Sequence, residues 1–140
     1  MDKVSIVYWS QTGNTEAMAK MIAAGVEGAG AGAELVEVSS ANADELLALP
    51  GFAIGCPAMG AEELEDSEVE PFVASIEGKV AGKTLLLFGS YDWGDGEWMR
   101  LWQKRMEDAG AKVLTEIAQN EPDGDAEARL KAAGAELAKL

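Results

Sequence analysis

The stretch from Val4 to Glu16, V-S-I-V-Y-W-S-Q-T-G-N-T-E, constrains the fold more than any other part of this chain. Its first half, residues 4–9, is mostly β-branched or aromatic, which is typical of a strand buried on both faces. The residues that follow the stretch, Ala17–Glu27, have the apolar spacing of an amphipathic helix. A buried strand joined to a helix by a short polar loop predicts a parallel α/β protein.

The loop between this strand and helix is rich in hydrogen-bond donors. Ser10, Thr12 and Thr15 carry hydroxyl groups, Asn14 carries an amide, and Gly13 gives the backbone conformational freedom. The first N–H groups of the following helix lack partners within the helix and point into the same space. This combination favours a bound phosphate. The alternative is an ordinary N-cap, because Ser, Thr and Asn also begin helices for purely local reasons.

Two common types of phosphate loop are excluded. A nucleoside-triphosphate loop needs a Lys followed by Ser or Thr, but no Lys or Arg lies between Lys3 and Lys20. The dinucleotide fingerprint Gly-x-Gly-x-x-Gly is missing from this first turn. A terminal monophosphate held by neutral donors remains.

Length and charge limit the function classes. A chain of 140 residues suits one domain, predicted over residues 1–140. Its 11 basic and 25 acidic side chains give a formal charge of −14, which argues against nucleic acid and membrane surfaces as partners and favours a basic protein. The acids form two groups, although a charged run is often only a solvated face. The groups are Glu62, Glu63, Glu65, Asp66, Glu68 and Glu70, and Asp92, Asp95 and Glu97.

The chain has one cysteine, Cys56, and no histidine. An intramolecular disulfide, a thiolate cluster and a Cys-x-x-Cys redox pair are therefore impossible, and the usual general base and transition-metal ligand are missing. Cys56 is predicted to pack as a small buried residue, and no metal site is predicted. Because the apolar runs are only strand length and the N-terminus does not resemble a signal peptide, we expect a soluble cytoplasmic protein.

Hydrophobic pattern and turn residues predict five strands that alternate with helices in a doubly wound parallel sheet, with helices on both faces. The predicted strands are Lys3–Tyr8, Ala33–Val38, Gly51–Cys56, Lys83–Ser90 and Lys112–Ala118. The predicted helices are Asn14–Gly28, Asp44–Leu49, Val69–Ile76, Gly96–Ala109 and Asp123–Leu140. Ligands of such sheets bind beyond the carboxyl ends of the strands.

Four segments resemble the flavodoxins. S-Q-T-G-N-T-E is similar to their phosphate loop, and G-C-P-A-M-G from Gly55, G-S-Y-D-W-G-D-G from Gly89 and Q-N-E-P-D from Gln119 match at the expected separations. The unbroken run Val113–Ala118 resembles the short-chain branch. The resemblance implies strand order 2-1-3-4-5 and FMN as the only cofactor. It also implies a low-potential one-electron carrier that shuttles between semiquinone and hydroquinone and passes electrons between redox proteins. A strongly acidic domain of this size is expected to be a monomer.

The same resemblance implies the FMN-binding residues. Trp93 would stack on the outer face of the flavin and Met59 on its inner face, whereas Trp98 and Trp102 would be core residues. Gly60 would turn its carbonyl toward flavin N5 on reduction. Asn120 would contact the flavin or its ribityl chain, or would only form the turn into the last helix. The implied cofactor-binding residues are Ser10, Gln11, Thr12, Gly13, Asn14, Thr15, Pro57, Ala58, Met59, Gly60, Ala61, Glu62, Ser90, Tyr91, Asp92, Trp93, Gly94 and Asn120.

Three of these positions depart from the pattern that the resemblance leads us to expect. Gln11 and Asp92 stand where Gly is common, and Ala61 stands where Asp, Ser, Asn or Gly is more usual. Alanine costs roughly 1 kcal/mol if its φ must be positive. We therefore expect Ala61→Gly to stabilise the semiquinone and Asp92→Gly to raise both potentials.

Other functions stay open from the sequence. One is an FMN enzyme that reduces quinones or other small acceptors with a nicotinamide. Another is a dedicated activator that uses a flavodoxin-like body to support one client. The last is a phosphate-binding signalling domain without flavin, which would make Met59 and Trp93 coincidental.

Overall fold

The computed structural model describes residues 1–11, 13–59 and 63–140. Strands and helices alternate through these residues, as the hydrophobic pattern predicts. The elements are β1 (Lys3–Tyr8), α1 (Asn14–Gly28), β2 (Gly32–Glu37), α2 (Ala43–Leu47), β3 (Gly51–Gly55), α3 (Val69–Ile76), β4 (Thr84–Tyr91), α4 (Glu97–Asp108), β5 (Lys112–Gln119) and α5 (Gly124–Ala138), with 3-10 turns at Val38–Ser40 and Glu77–Lys79.

The described strands form one parallel sheet in the order β2-β1-β3-β4-β5, which confirms the predicted order. β1 lies beside both β2 and β3, with Ile6 opposite Leu35 on one side and Ala53 on the other. The chain therefore winds outward in two directions from the gap between β1 and β3. The carboxyl ends of all strands lie at one edge, where such sheets bind ligands.

Alternate residues of the central strands enter two different cores. On one face, Ile6, Leu86 and Phe88 pack with the buried residues of α1 and α5. On the other face, Ile54 and Leu87 pack with those of α3 and α4. Both faces of β3 and β4 are therefore covered, which explains why these strands are almost uniformly apolar.

Two glycines allow α1 and α5 to approach closely. A Cβ added at Gly25 would lie 2.0 Å from the carbonyl oxygen of Lys131, and one at Gly134 would lie 2.2 Å from that of Ile22. Only glycine fits at these two positions without a backbone shift. The pair of helices covers the sheet beneath the β1–α1 loop, which contributes to the site.

Several predicted element bounds are wrong by one or two residues because local hydrogen bonds decide where elements begin and end. Val38 leaves the sheet for a 3-10 turn, so β2 is Gly32–Glu37 and not Ala33–Val38. α2 starts at Ala43 because the Asn42 side chain caps it, and α5 starts after Asp123 for the same reason. No helix among residues 1–11, 13–59 and 63–140 is long and apolar enough to cross a membrane.

Candidate functional site

The loops that follow β1, β3 and β4 meet at the carboxyl edge of the sheet. They enclose a hollow of about 80 Å³ that adjoins one of about 400 Å³. Gln11 and Met59 line both hollows, so the two form one crevice. The other lining residues are Pro57, Ala58, Ser90, Tyr91 and Asp92 in the smaller part, and Trp9, Glu63, Leu64, Glu65 and Asp66 in the larger part.

The start of α1 is left open for an anion. Gly13 occupies the N-cap position with φ 94°, and no side chain of the described residues caps this helix. By contrast, Asn42 accepts a hydrogen bond from Glu45 N–H at 3.1 Å, and Asp123 accepts one from Ala126 N–H at 2.9 Å. The ordinary N-cap interpretation is therefore wrong for the described loop residues. The first N–H groups of α1 and its dipole remain available to a phosphate.

Ser10 adds a donor to this loop. Its Oγ accepts a hydrogen bond from Gly13 N–H at 3.0 Å, which holds the loop and leaves the hydroxyl proton to be donated elsewhere. Gln11 and Gly13 are exposed and Asn14 is half-buried, so this side of the loop faces solvent. Thr12, another predicted donor, lies outside the described residues.

Thr15 and Ser90 are placed differently from the other predicted contacts. Thr15 is 1% exposed and Ser90 is 4% exposed, and their hydroxyl oxygens lie 3.3 Å apart. One of the two hydroxyl protons is used in this hydrogen bond, so the pair retains one proton for a ligand. The pair also joins the start of α1 to the end of β4, which fixes the first loop against the third.

The loop after β3 is held at both ends. Ala58 N–H donates to the carbonyl of Ser90, a residue of β4, at 2.9 Å. Met59 and Glu63 exchange two backbone hydrogen bonds, each of 2.9 Å. The predicted contacts of Gly60, Ala61 and Glu62 lie between this pair and outside the described residues. Met59 is half-buried and reaches both parts of the crevice.

The tryptophans divide as predicted. Trp98 and Trp102 are each 2% exposed in the core, and Trp98 Nε1–H donates to the carbonyl of Cys56 at 3.2 Å. Trp93 is 63% exposed in the loop after β4, beside Gly94 with φ 87°. An exposed indole beside a crevice is a surface that a planar apolar group can cover.

The loop after β5 is tied to the loop after β4. Asn120 has φ 56°, and its N–H donates to the carbonyl of Tyr91 at 2.8 Å. Gln119 Nε2 donates to the carbonyl of Asp92 at 3.4 Å. Asn120 thus forms a turn and its side chain is exposed. Its contact with the flavin stays a prediction.

Sequence reasoning missed the role of Glu65. It is 5% exposed, so it does not belong to a solvated face. Its carboxylate accepts hydrogen bonds from Ser67 N–H at 2.7 Å, Glu68 N–H at 2.7 Å, Val69 N–H at 3.0 Å and the Ser67 hydroxyl. Burial raises the pKa of Glu65, but these bonds outweigh burial and bring the pKa down to about 2. Glu65 therefore caps the start of α3 as an anion.

Cys56 is fully buried, which confirms the predicted packing role. Burial raises the pKa of its thiol to about 12, and the neighbouring Glu65 charge adds to the rise, although the Glu65 N–H bond opposes it. The neutral thiol donates to the carbonyl of Pro57 at 3.3 Å and accepts from Glu65 N–H at 3.4 Å. Trp9 was also missed as a crevice residue, because its aromatic character fits a strand equally well.

Comparison with known proteins decides the family. The family model described as "Flavodoxin" matches residues 6–136. The chain belongs to the flavodoxin family. It is 52% identical to the flavodoxin of Megasphaera elsdenii over 127 residues, which cover 90% of this chain and 93% of that one. It is 51% identical to the Clostridium beijerinckii flavodoxin, over 86% of this chain and 88% of the other. The structure of two-electron reduced M. elsdenii flavodoxin superimposes with a TM-score of 0.89 at 50% identity, over 98% and 99% of the two chains.

Membership establishes the general function. This flavodoxin binds FMN and carries electrons to redox partners, and it is not a catalyst. The described residues fit the cofactor: the open start of α1 and the Ser10 hydroxyl suit its phosphate, and Met59 and the exposed Trp93 suit its ring.

Proposed function

We propose that this flavodoxin carries single electrons at low potential between redox proteins with basic docking surfaces, as a cytoplasmic monomer whose 140 residues serve as one FMN-binding domain. The observation that carries this proposal is the concentration of acidic side chains at the edge of the sheet where the strands end.

At the carboxyl edge, acidic residues follow the ends of all five strands. They are Glu16, Glu37, Glu63, Asp66, Glu68, Asp92, Asp95, Glu97, Glu121 and Asp123. The described cations nearest this edge are neutralised by neighbours, since Arg100 pairs with Asp95 at 3.0 Å and Lys20 with Glu16 at 4.0 Å. The opposite edge carries Lys3, Lys79, Lys83, Lys112 and Lys139 together with acids such as Asp2 and Asp108, and Lys3 pairs with Glu34 at 2.9 Å. The concentration of acids at the carboxyl edge attracts a basic partner.

The residues proposed to hold FMN come from four loops. The helix α1 N–H groups, Ser10 and Asn14 would bind the phosphate, with Thr12 and Thr15 as further donors. Met59 and Trp93 would cover the two faces of the ring, with Tyr91 and Asn120 at its edges. Bound FMN supplies the one-electron chemistry, and these residues supply affinity and orientation.

The acidic edge also favours a low potential. Each added electron brings negative charge toward carboxylates such as Glu63 and Asp92 and the buried Glu65. Like charges oppose one another most strongly where water is scarce. The second electron should therefore be the more strongly reducing one.

An apolar groove on the same side offers an anchor for the partner. It has a volume of about 310 Å³, and its apolar lining is Leu64, Trp98, Leu101 and Trp102. Leu101 is 58% exposed, and Glu63, Asp66 and Glu70 lie at the margin of the groove together with Arg105, whose guanidinium pairs with Glu70 at 2.7 Å. A basic surface that also carries an apolar side chain complements this groove.

Stepwise anaerobic photoreduction of the FMN-loaded protein tests the carrier function. We expect two separated one-electron steps in the visible spectrum, whereas direct bleaching to the two-electron state would contradict the proposal. Rapid NADH oxidation by the isolated protein would instead favour an enzyme.

Electron transfer from the reduced protein to cytochrome c, a basic haem protein, tests the docking surface. The rate should fall steeply as the ionic strength rises from about 10 mM to about 150 mM, because salt screens charge-steered association. We expect Leu101→Ser to slow this transfer and Leu35→Ser to leave it unchanged, because Leu35 is 39% exposed on β2, away from the groove. A rate independent of salt would refute basic docking.

A further inference from the structure

The crevice loop after β3 returns to the body of the protein through an unusual pair of buried groups. Beyond Glu63, the chain is fixed by the backbone N–H of Glu65, which donates to the Cys56 thiol at 3.4 Å, and by the Glu65 carboxylate, which caps α3. Cys56 is itself fixed to β4, because its N–H donates to the carbonyl of Phe88 at 3.0 Å. Residues 63–69 are thereby connected directly to the central strand pair.

We infer that the Cys56 thiol and Glu65 form a clamp that positions the Met59–Glu63 pair, and that this clamp sets the separation between the two one-electron potentials of the bound flavin. The inference rests on the proposed carrier function. Cys56 and Glu65 are positioning residues, because both are buried beneath the crevice surface and act through Met59 and Glu63.

The geometry supports this role in two ways. The clamp lies on both sides of the loop: Cys56 comes three residues before Met59, and Glu65 comes two residues after Glu63. Each thiol interaction also has a direction, since the S–H donates to the carbonyl of Pro57 while the sulfur accepts from Glu65 N–H. The raised pKa of the thiol keeps it protonated and able to make both interactions.

The clamp can be tested without changing any charge. Cys56→Ala removes both hydrogen bonds, whereas Cys56→Ser retains a donor and an acceptor at the same position. The loss of one neutral hydrogen bond that stabilises the half-reduced protein changes each one-electron equilibrium of the flavin roughly fivefold. At 59 mV per tenfold for one electron, each potential then shifts by about 41 mV, the first downward and the second upward.

We therefore expect the difference between the two potentials to shrink by about 80 mV in the FMN-loaded Cys56→Ala protein. Cys56→Ser should restore most of this difference. Hydrogen exchange provides a second readout. The amides of Met59, Glu63 and Glu65 should exchange about tenfold faster in Cys56→Ala, because this loop opens locally more often, while the β4 amides stay unchanged.

Ser67→Ala extends the test to the other half of the clamp, because Ser67 is exposed and its loss removes only the hydroxyl donor to Glu65. We expect the difference between the two potentials to shrink less in Ser67→Ala than in Cys56→Ala. Unchanged separation in both variants, with faster exchange in Cys56→Ala, would overturn the inference while leaving the carrier function intact. Absence of two one-electron steps in the unaltered protein would refute the proposed function instead.

Discussion

Replacing Glu65 with Gln should remove a large and pH-dependent part of the stability. The pKa of Glu65 lies at about 2 in the folded protein against its ordinary value of 4.5. Because a pKa difference of one unit corresponds to about 1.36 kcal/mol, the hydrogen-bonded carboxylate contributes about 3 kcal/mol. Glu65 is 5% exposed, so solvent screens little of this contribution.

The direction of the pH dependence follows from the depressed pKa. Between pH 2 and 4.5 the unfolded chain binds more protons at Glu65 than the folded protein does. Its contribution is therefore complete above about pH 4.5 and is lost as the pH falls toward 2. The amide of Gln resembles the protonated carboxyl, so Glu65→Gln should be less stable by about 3 kcal/mol at pH 7, with a difference that shrinks below pH 4.5.

Urea unfolding of the FMN-loaded protein at saturating FMN, from pH 3 to 7, measures this difference. Asp66→Asn is the matched control, because it removes the same charge from the adjacent exposed residue without touching the cap. A Glu65→Gln deficit that stays constant from pH 7 to 3, or that equals the deficit of Asp66→Asn, would refute the reasoning.

Three further predictions use other parts of the fold. Trp93→Ala should weaken FMN binding by about tenfold to a hundredfold, because an aromatic face is lost, while Trp93→Phe should keep most of the affinity. Fluorescence titration with FMN measures both affinities, and equal affinities of the two variants would contradict the stacking role. Urea unfolding of Gly89→Ala should show a free energy of unfolding lower by about 1–3 kcal/mol, because the added Cβ would lie 2.0 Å from the carbonyl oxygen of Cys56. Gly28→Ala places its Cβ in open space and should raise the free energy of unfolding by about 0.5–1 kcal/mol. Burial and a thiol pKa of about 12 should protect Cys56 from iodoacetamide at pH 8 until the protein unfolds, as mass spectrometry can show, and rapid alkylation of the folded protein would contradict the buried position.

The sequence alone predicted the alternation of strands and helices, the donor-rich loop after β1, and the core positions of Trp98 and Trp102. These features depend on neighbours within about ten residues, such as the buried run of β1 and the helical spacing of Trp98 and Trp102 on α4. The sheet order came from the resemblance to flavodoxins, since periodicity does not identify which strands are neighbours.

The tertiary structure decided which polar groups are buried and which stay open to a ligand. Thr15 and Ser90 are 75 residues apart in the chain, and only the packing of α1 against β4 brings their hydroxyls together. Glu65 has the same composition as the solvated acids around it, but the path of the chain back to α3 buries it under four donors. A local pattern records the preference of each residue, whereas burial and hydrogen bonding between distant segments exist only once the chain has folded.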